Sequence, residues 1–221
     1  MSMTLEDLQS RIATFLDPNP ITPVEGGHSW VRRLGNINRA QQIWAEALDW
    51  RNLYKEYNAL VSAPSGNTTH SLPSDFRKLA GNPIVGGLSY TDVYPYEKVN
   101  LSPTSRYTFT MGTPGSYNLI IHTESTPDSL SSLMVPYYYT PTSLTTSGAV
   151  SPIPDPEYLI AKAVGIELRS LVKDHASADK EDARAELILR NMISSENTPS
   201  FGNERRIKSQ EELMGFHYGE D

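Results

Sequence analysis

The chain has 221 residues, 38% of them hydrophobic and 20% charged, enough to bury a real core in one large domain or a compact pair, which excludes disorder throughout. A formal charge of -7 argues against a protein whose main task is gripping phosphates, because tight backbone binding needs clustered Lys and Arg. The absence of cysteine excludes disulfides, thiolate metal sites and cysteine nucleophiles, and is compatible with a reducing compartment.

The N-terminal stretch MSMTLEDLQSRIATFL carries acids early and has no basic-then-apolar leader. No apolar run approaches the roughly 18 residues of a membrane span. These features read as a soluble protein assembled in the cytosol, without a membrane partner. Thr4 and Asp7 have the spacing of a capping box, which predicts a helix from Leu5 to about Leu16, broken by Asp17-Pro18-Asn19-Pro20. The Pro- and Gly-containing stretch to Gly35 reads as a surface loop with Trp30 docked, flanked by Arg32 and Arg33. A long helix is predicted from about Ile37 to Val61, since Ala40, Ile43, Ala47, Trp50, Tyr54, Tyr57 and Val61 recur at helical spacing. Its apolar face suits a bundle core, with contact to a neighbouring copy as the sharper alternative.

Ala63 to Thr69 reads as a turn-rich linker, and from Leu72 to about Ser151 the texture is β. Residues 106–111 and 117–122 flank Gly112-Thr113-Pro114-Gly115-Ser116 as the arms of a hairpin. Leu133 to Tyr139 alternates as a further strand, and Pro136 places it at an edge or a bulge. Tyrosines 90, 94, 96, 107, 117, 137, 138 and 139 crowd this part, where they suit a small sandwich core or a contact surface. Thr140 to Pro154 reads as a Thr/Ser/Pro loop too polar to pack. Asp155-Pro156-Glu157 starts a helix with Ile160, Val164, Leu168, Leu171 and Val172 as its buried stripe. A last helix, capped by Ser177, turns Ala185, Ile188, Leu189, Met192 and Ile193 inward. Thr198 to Asp221 has no sustained period and reads as an extended arm, ordered only when something holds it.

The chemistry-bearing residues do not assemble into a known site. The five histidines are scattered, with no pair at metal-binding spacing, and no nucleophile elbow, phosphate loop or dinucleotide fingerprint occurs. His175 with Asp174, Asp179 and Asp182 reads as ordinary charged surface between helices rather than a proton-transfer group. Asn67-Thr68-Thr69 is a chance glycosylation match. The reading is therefore not an enzyme, with no cofactor and no metal. Two basic clusters remain, Arg32 and Arg33 with Arg39 near Trp30, and Arg205, Arg206 and Lys208 in the tail. The tail bases are outweighed by Glu204, Glu211, Glu212, Glu220 and Asp221, which favours a protein partner over DNA. The candidate partner-binding residues are Arg205, Arg206, Lys208, Phe201, Leu213, Phe216, Tyr218, Trp30, Arg32 and Arg33.

Leu72-Pro73-Ser74-Asp75-Phe76-Arg77-Lys78-Leu79 after a long helix, then Tyr137-Tyr138-Tyr139-Thr140-Pro141 leading to Pro152-Ile153-Pro154-Asp155-Pro156-Glu157-Tyr158-Leu159 and two helices, resembles head-to-tail adaptor (connector) proteins of tailed bacteriophages, the type with a β-domain inserted in a helical bundle. The resemblance implies an α+β fold of about four helices from both ends of the chain. Residues 1–62 and 152–196 would form the bundle, 63–151 the inserted antiparallel β-domain and 197–221 an extended C-terminal arm. It implies a structural virion protein at the neck, assembled in the host cytoplasm as a ring of about twelve copies below the portal. Its partners would be the portal, further copies of itself and downstream tail or neck proteins, with double-stranded DNA passing through without sequence-specific binding. The alternatives are another neck, tail-tube or baseplate protein, a decoration or receptor-binding module, and, third, a wall-degrading hydrolase.

Overall fold

The computed structural model describes residues 3–17, 19–20, 24–62, 66–94, 106–123 and 131–197. Four helices and two β-sheets give the α+β fold that the sequence leads one to expect. Helix α1 (Leu5–Leu16) begins on the anticipated capping box: the Thr4 hydroxyl accepts the Asp7 amide proton at 3.2 Å and the Asp7 carboxylate accepts the Thr4 amide proton at 3.1 Å. Such a cap is worth about 1 kcal/mol. Helix α3 (Pro156–Glu167) starts as expected, with the Asp155 carboxylate taking the Glu157 amide proton at 3.0 Å and Pro156 in the first turn. It runs on into a π-helical turn, Leu168–Val172, which ends at Lys173 in the left-handed region, φ 58°. Leu171 and Val172 are exposed there, so the buried stripe stops at Leu168, because the wider turn rotates them off the core-facing line. Helix α4 (His175–Asn197) is capped by Asp174, not Ser177: the Ser177 amide donates to the Asp174 carboxylate at 3.1 Å.

The largest difference from the sequence reading lies between residues 28 and 61. Helix α2 spans His28–Ala47, which puts Trp30 in its first turn rather than in a loop, and β1 (Tyr54–Val61) replaces the second half of the anticipated long helix. Leu48 is already extended, and the Trp50 indole folds back to donate to the Trp44 carbonyl at 2.7 Å, with the two rings stacked 4.6 Å apart. The Leu48 amide would take that carbonyl in a continuing helix. Arg77 closes the same helix end, its guanidinium donating to the Ala45 and Leu48 carbonyls and pairing with Asp49 at 3.3 Å. Tyr54, Tyr57 and Val61 fit a helical period by coincidence. The burial that decides the state has period two, with Tyr57, Ala59 and Val61 facing inward.

The strands are β2 (Gly66–Ser71), β3 (Phe76–Leu79), β4 (Ile84–Val85), β5 (Leu88–Ser89), β6 (Thr91–Asp92), β7 (Tyr107–Thr113), β8 (Ser116–Thr123) and β9 (Ser131–Tyr139). β2 lies where a linker was anticipated. One sheet runs β1-β9-β4-β5 with β3 also on β9, and the other runs β2-β8-β7-β6. All pairings are antiparallel except the short β6–β7 pair. β7 and β8 form the anticipated hairpin, where Gly112 has φ 131° and a Cβ would sit 2.3 Å from the Ser116 carbonyl oxygen, so only glycine fits. β1 and β2 pair with β9 and β8 in turn, Val61 opposite Ser131 and then Gly66 opposite Thr123. β1 and β2 are thus each the outermost strand of their sheet.

β9 is central rather than an edge. The Pro136 carbonyl accepts from the Ala80 amide at 2.9 Å, so its missing N–H faces the same side, into the interval between β3 and β4 where no ladder partner waits. The Thr140–Pro154 loop also departs from expectation, because it packs: Leu144 and Ile153 are buried in the helical core. Its backbone is satisfied by side-chain amides of α2, Asn38 bonding both ways to Leu144 (3.0 and 2.8 Å) and Gln41 donating to the Thr142 carbonyl at 3.0 Å. The helices share a core of Leu5, Leu8, Ile12, Trp44, Trp50 and Val164, and the sheets share a second with Phe76, Leu119, Ile121, Leu133 and Val135. Tyr90, Tyr107 and Tyr137 are buried among the strands and Tyr94 is exposed; Tyr96 lies outside the described residues.

Tyr158 of α3 is buried and its hydroxyl finds no hydrogen-bond partner among the described residues. Burial first, and the Asp182 carboxylate second, push its pKa up to about 12. Tyr137 is also pushed up to about 12, by burial and then by donating to Asp75 at 3.0 Å. Raised values mean that the folded state holds these protons more tightly than the unfolded chain, whose tyrosines titrate near 10. Their contribution is complete below about pH 10 and is lost as pH rises toward about 12. Tyr158→Phe should melt at an equal or higher temperature at neutral pH and lose less stability than the parent in alkaline melts.

Candidate assembly surfaces

The two basic clusters anticipated from sequence have different fates. Trp30 is 3% exposed, and its carbonyl accepts the buried Gln9 amide at 3.0 Å. Arg32 and Arg33, adjacent on α2, converge on a single carboxylate of α3: Arg32 Nη2 lies 2.7 Å from Glu167 Oε1 and Arg33 Nε 3.5 Å from Oε2. Glu167 is 2% exposed, so the two guanidiniums are counter-ions of a buried acid inside the chain and do not form an open patch. Arg205, Arg206, Lys208, Phe201, Leu213, Phe216 and Tyr218 lie outside the described residues.

A second charge network ties α1, α3 and α4. Glu157 is shared by Arg11 and by Arg184 (2.9 Å), and Asp182 by Lys162 and Arg169 (both 2.7 Å), with Arg169 also on Asp179 at 2.7 Å. Between these pairs run two grooves. One, of about 390 Å³, is lined by Arg11, Thr14, Phe15, Glu157, Ile160 and Arg184, and Phe15 is half exposed in it. The other, of about 260 Å³, lies by Arg39, Ile43, Lys162, Ile166, Arg169 and Asp182. Both are shallow features between helices.

The other open surface is the outer edge of β1 and of β2, the end strands of the two sheets. β9 is the only strand that pairs with β1 and β8 the only one that pairs with β2, so both outer strands are unpaired on one side among the described residues. Leu60 is 71% exposed and Tyr54 43%. The end of α4 sits at the foot of this edge, where the Arg51 amide donates to the Glu196 carboxylate at 2.7 Å and the Arg51 guanidinium to the Glu196 carbonyl at 3.0 Å.

The remaining titratable groups serve structure. Asp174 is held below the usual carboxylate range by its hydrogen bonds from Ser177, as a helix cap requires. His70 bonds Thr68 at 3.2 Å and its pKa is lowered by burial; His122 bonds Asn67 at 2.8 Å and stacks on Tyr107. Among the described residues no cluster of His and acidic side chains could hold a metal ion, and no helix is long and apolar enough to cross a membrane. Sequence reasoning missed Glu167 and the β1 edge. The signals were a lone acid inside the otherwise apolar run Ala163 to Leu168, and the polar Lys55, Glu56 and Asn58 in a segment assigned to a helix.

Glu167→Ala should lower stability in urea unfolding by about 2 kcal/mol, because it leaves Arg33 partly buried without its counter-ion. Glu167→Gln, which keeps the shape and one acceptor, should fall between.

The family model of the SU10 adaptor protein matches residues 3–197, the helical and the β part together. No curated protein matches the chain.

Proposed function

We propose, for a chain that belongs to the SU10 adaptor protein family, a phage head-to-tail adaptor family, that its copies form a ring below the portal, extend the DNA channel and carry the attachment platform for the tail. Membership makes the protein a structural phage adaptor and a virion component whose partners are the portal and the tail. The observation that carries the finer reading is the extent of the match, which takes in all four helices and both sheets. A ring subunit needs two unlike side surfaces that meet head to tail. The helical grooves and the open strand edges supply open surfaces on different parts of the subunit. The acidic balance favours a channel wall that DNA slides past over one that retains it. Assembly on the portal, at the neck and in the host cytoplasm, with about twelve copies, completes the reading.

In it, residues 198–221 and the flanking loops contact the portal. The test is binding of the full chain to isolated portal rings, compared with a chain ending at Asn197. Ending it at Ser195 would also remove the Glu196 contacts to Arg51 and confuse loss of the arm with damage to the fold. The shortened chain should bind at least about tenfold more weakly, a difference of roughly 1.4 kcal/mol. Equal binding would take the portal contact away from the arm, and no binding by the full chain would remove the portal-docking reading itself.

A further inference from the structure

We infer that the open edge of β1 receives the arm of a second copy, residues 198–221, as an added strand. This rests on the ring reading above and deepens it by naming the contact between neighbours. β1 is a long edge of eight residues in unbroken register, Tyr54 opposite Tyr138 through Val61 opposite Ser131. Edges of this kind are templates for pairing unless they are guarded by proline, bulges or outward lysines. β1 contains no proline or bulge. Its single lysine is not a guard, because Lys55 is drawn to Asp75 at 2.7 Å and lies over the Tyr139 ring at 4.0 Å. Glu56 is engaged by the Tyr54 hydroxyl at 2.8 Å. What the strand leaves open is a row of backbone groups beside the exposed Leu60 and Tyr54.

The place where the chain leaves α4 identifies the occupant. The Glu196 contacts to Arg51 fix the root of the arm three residues before β1 begins. Each subunit therefore presents an arm root and an open edge next to each other. The last proline is Pro199, so every residue from Ser200 to Asp221 carries an amide proton that a strand can donate. Fully extended, that stretch reaches roughly 70 Å, more than the width of a subunit of this size. A copy that gives its arm to one neighbour and its edge to another has one donor and one acceptor, the unlike pair that a closed ring needs. About eight residues on the edge would leave the distal arm free for the portal.

The natural absence of cysteine makes disulfide mapping direct. Full-length protein carrying Asn58→Cys on the edge is mixed with full-length protein carrying Ser200→Cys, Asn203→Cys or Ser209→Cys in the arm. Each mixture is oxidised gently at high concentration, alone and on portal rings. Linked dimers joining the two preparations should form at one or more arm positions, several-fold more than with Thr145→Cys, which lies on the loop over the helices. No link between the mixed preparations while a chain given both Asn58→Cys and the same arm cysteine links to itself, links no stronger than to Thr145→Cys, or none in either condition would each overturn the inference. Portal binding is scored separately on the cysteine-free chain. Binding without linkage retains the adaptor role and removes the arm exchange; linkage without binding does the reverse.

Discussion

The C-terminal end of α2 is the constraint on which the rest of the fold depends. Helix ends leave carbonyls without partners, and a cation placed there is favoured by the helix dipole. Here Trp50 takes the Trp44 carbonyl and Arg77 takes those of Ala45 and Leu48. These bonds do two things at once. They stop the helix at Ala47, so that the following residues become an edge strand, and they bring Arg77 of β3 onto the end of the helical core. The neighbouring Asp75 extends the joint by accepting from Lys55 of β1 and Tyr137 of β9, while its backbone carbonyl accepts the Thr140 amide proton at 2.7 Å. Two hydrophobic cores, both touched by Tyr139, are thereby held together in part by a polar junction.

That junction is reinforced by a second link, from Arg51 just before β1 to Glu196 at the end of α4, and by Tyr138 and Tyr139 of β9 packing against the helical core. The second sheet is coupled to the first through the core they share, where Leu119 and Ile121 of β8 cluster with Leu133 and Val135 of β9. Force applied to the β part would reach the helical part through Arg77 at the end of α2 and through the Arg51–Glu196 bonds at the end of α4. For a part that holds a head to a tail, a joint made of several charge-assisted bonds and a desolvated aromatic pair is stiffer than a glycine-rich linker would be.

Much of this was legible in the sequence where the signal was local. The Thr4–Asp7 box, the Asp155-Pro156-Glu157 start and the hairpin around Gly112 each depend on side chains within a few residues, and all three hold. The β1 strand was not legible because its helical spacing of apolar residues competes with a period-two burial that only pairing with β9 reveals. The packed loop was hidden for a similar reason: its polarity is satisfied by Asn38 and Gln41, which lie roughly a hundred residues earlier in the chain. Arg32 and Arg33 looked like a binding patch because their partner, Glu167, is distant in sequence and unusual in being buried.

The way charge is spent bears on how such a protein meets DNA. Arg11, Arg32, Arg33, Arg51, Arg77, Arg169, Arg184 and Arg190 all sit within reach of a carboxylate of the same chain. A guanidinium already paired must give up that partner, or share it, before it can replace the counterions around a phosphate, so the gain from counterion release is small. Net charge alone would allow a basic stripe within an acidic subunit; internal pairing of most arginines removes the material for one. What stays open on the described surface is of another kind, namely backbone groups along β1 and apolar side chains such as Leu60 and Phe15. Those are the means by which proteins recognise other proteins, and they suit a part whose specificity lies in its neighbours.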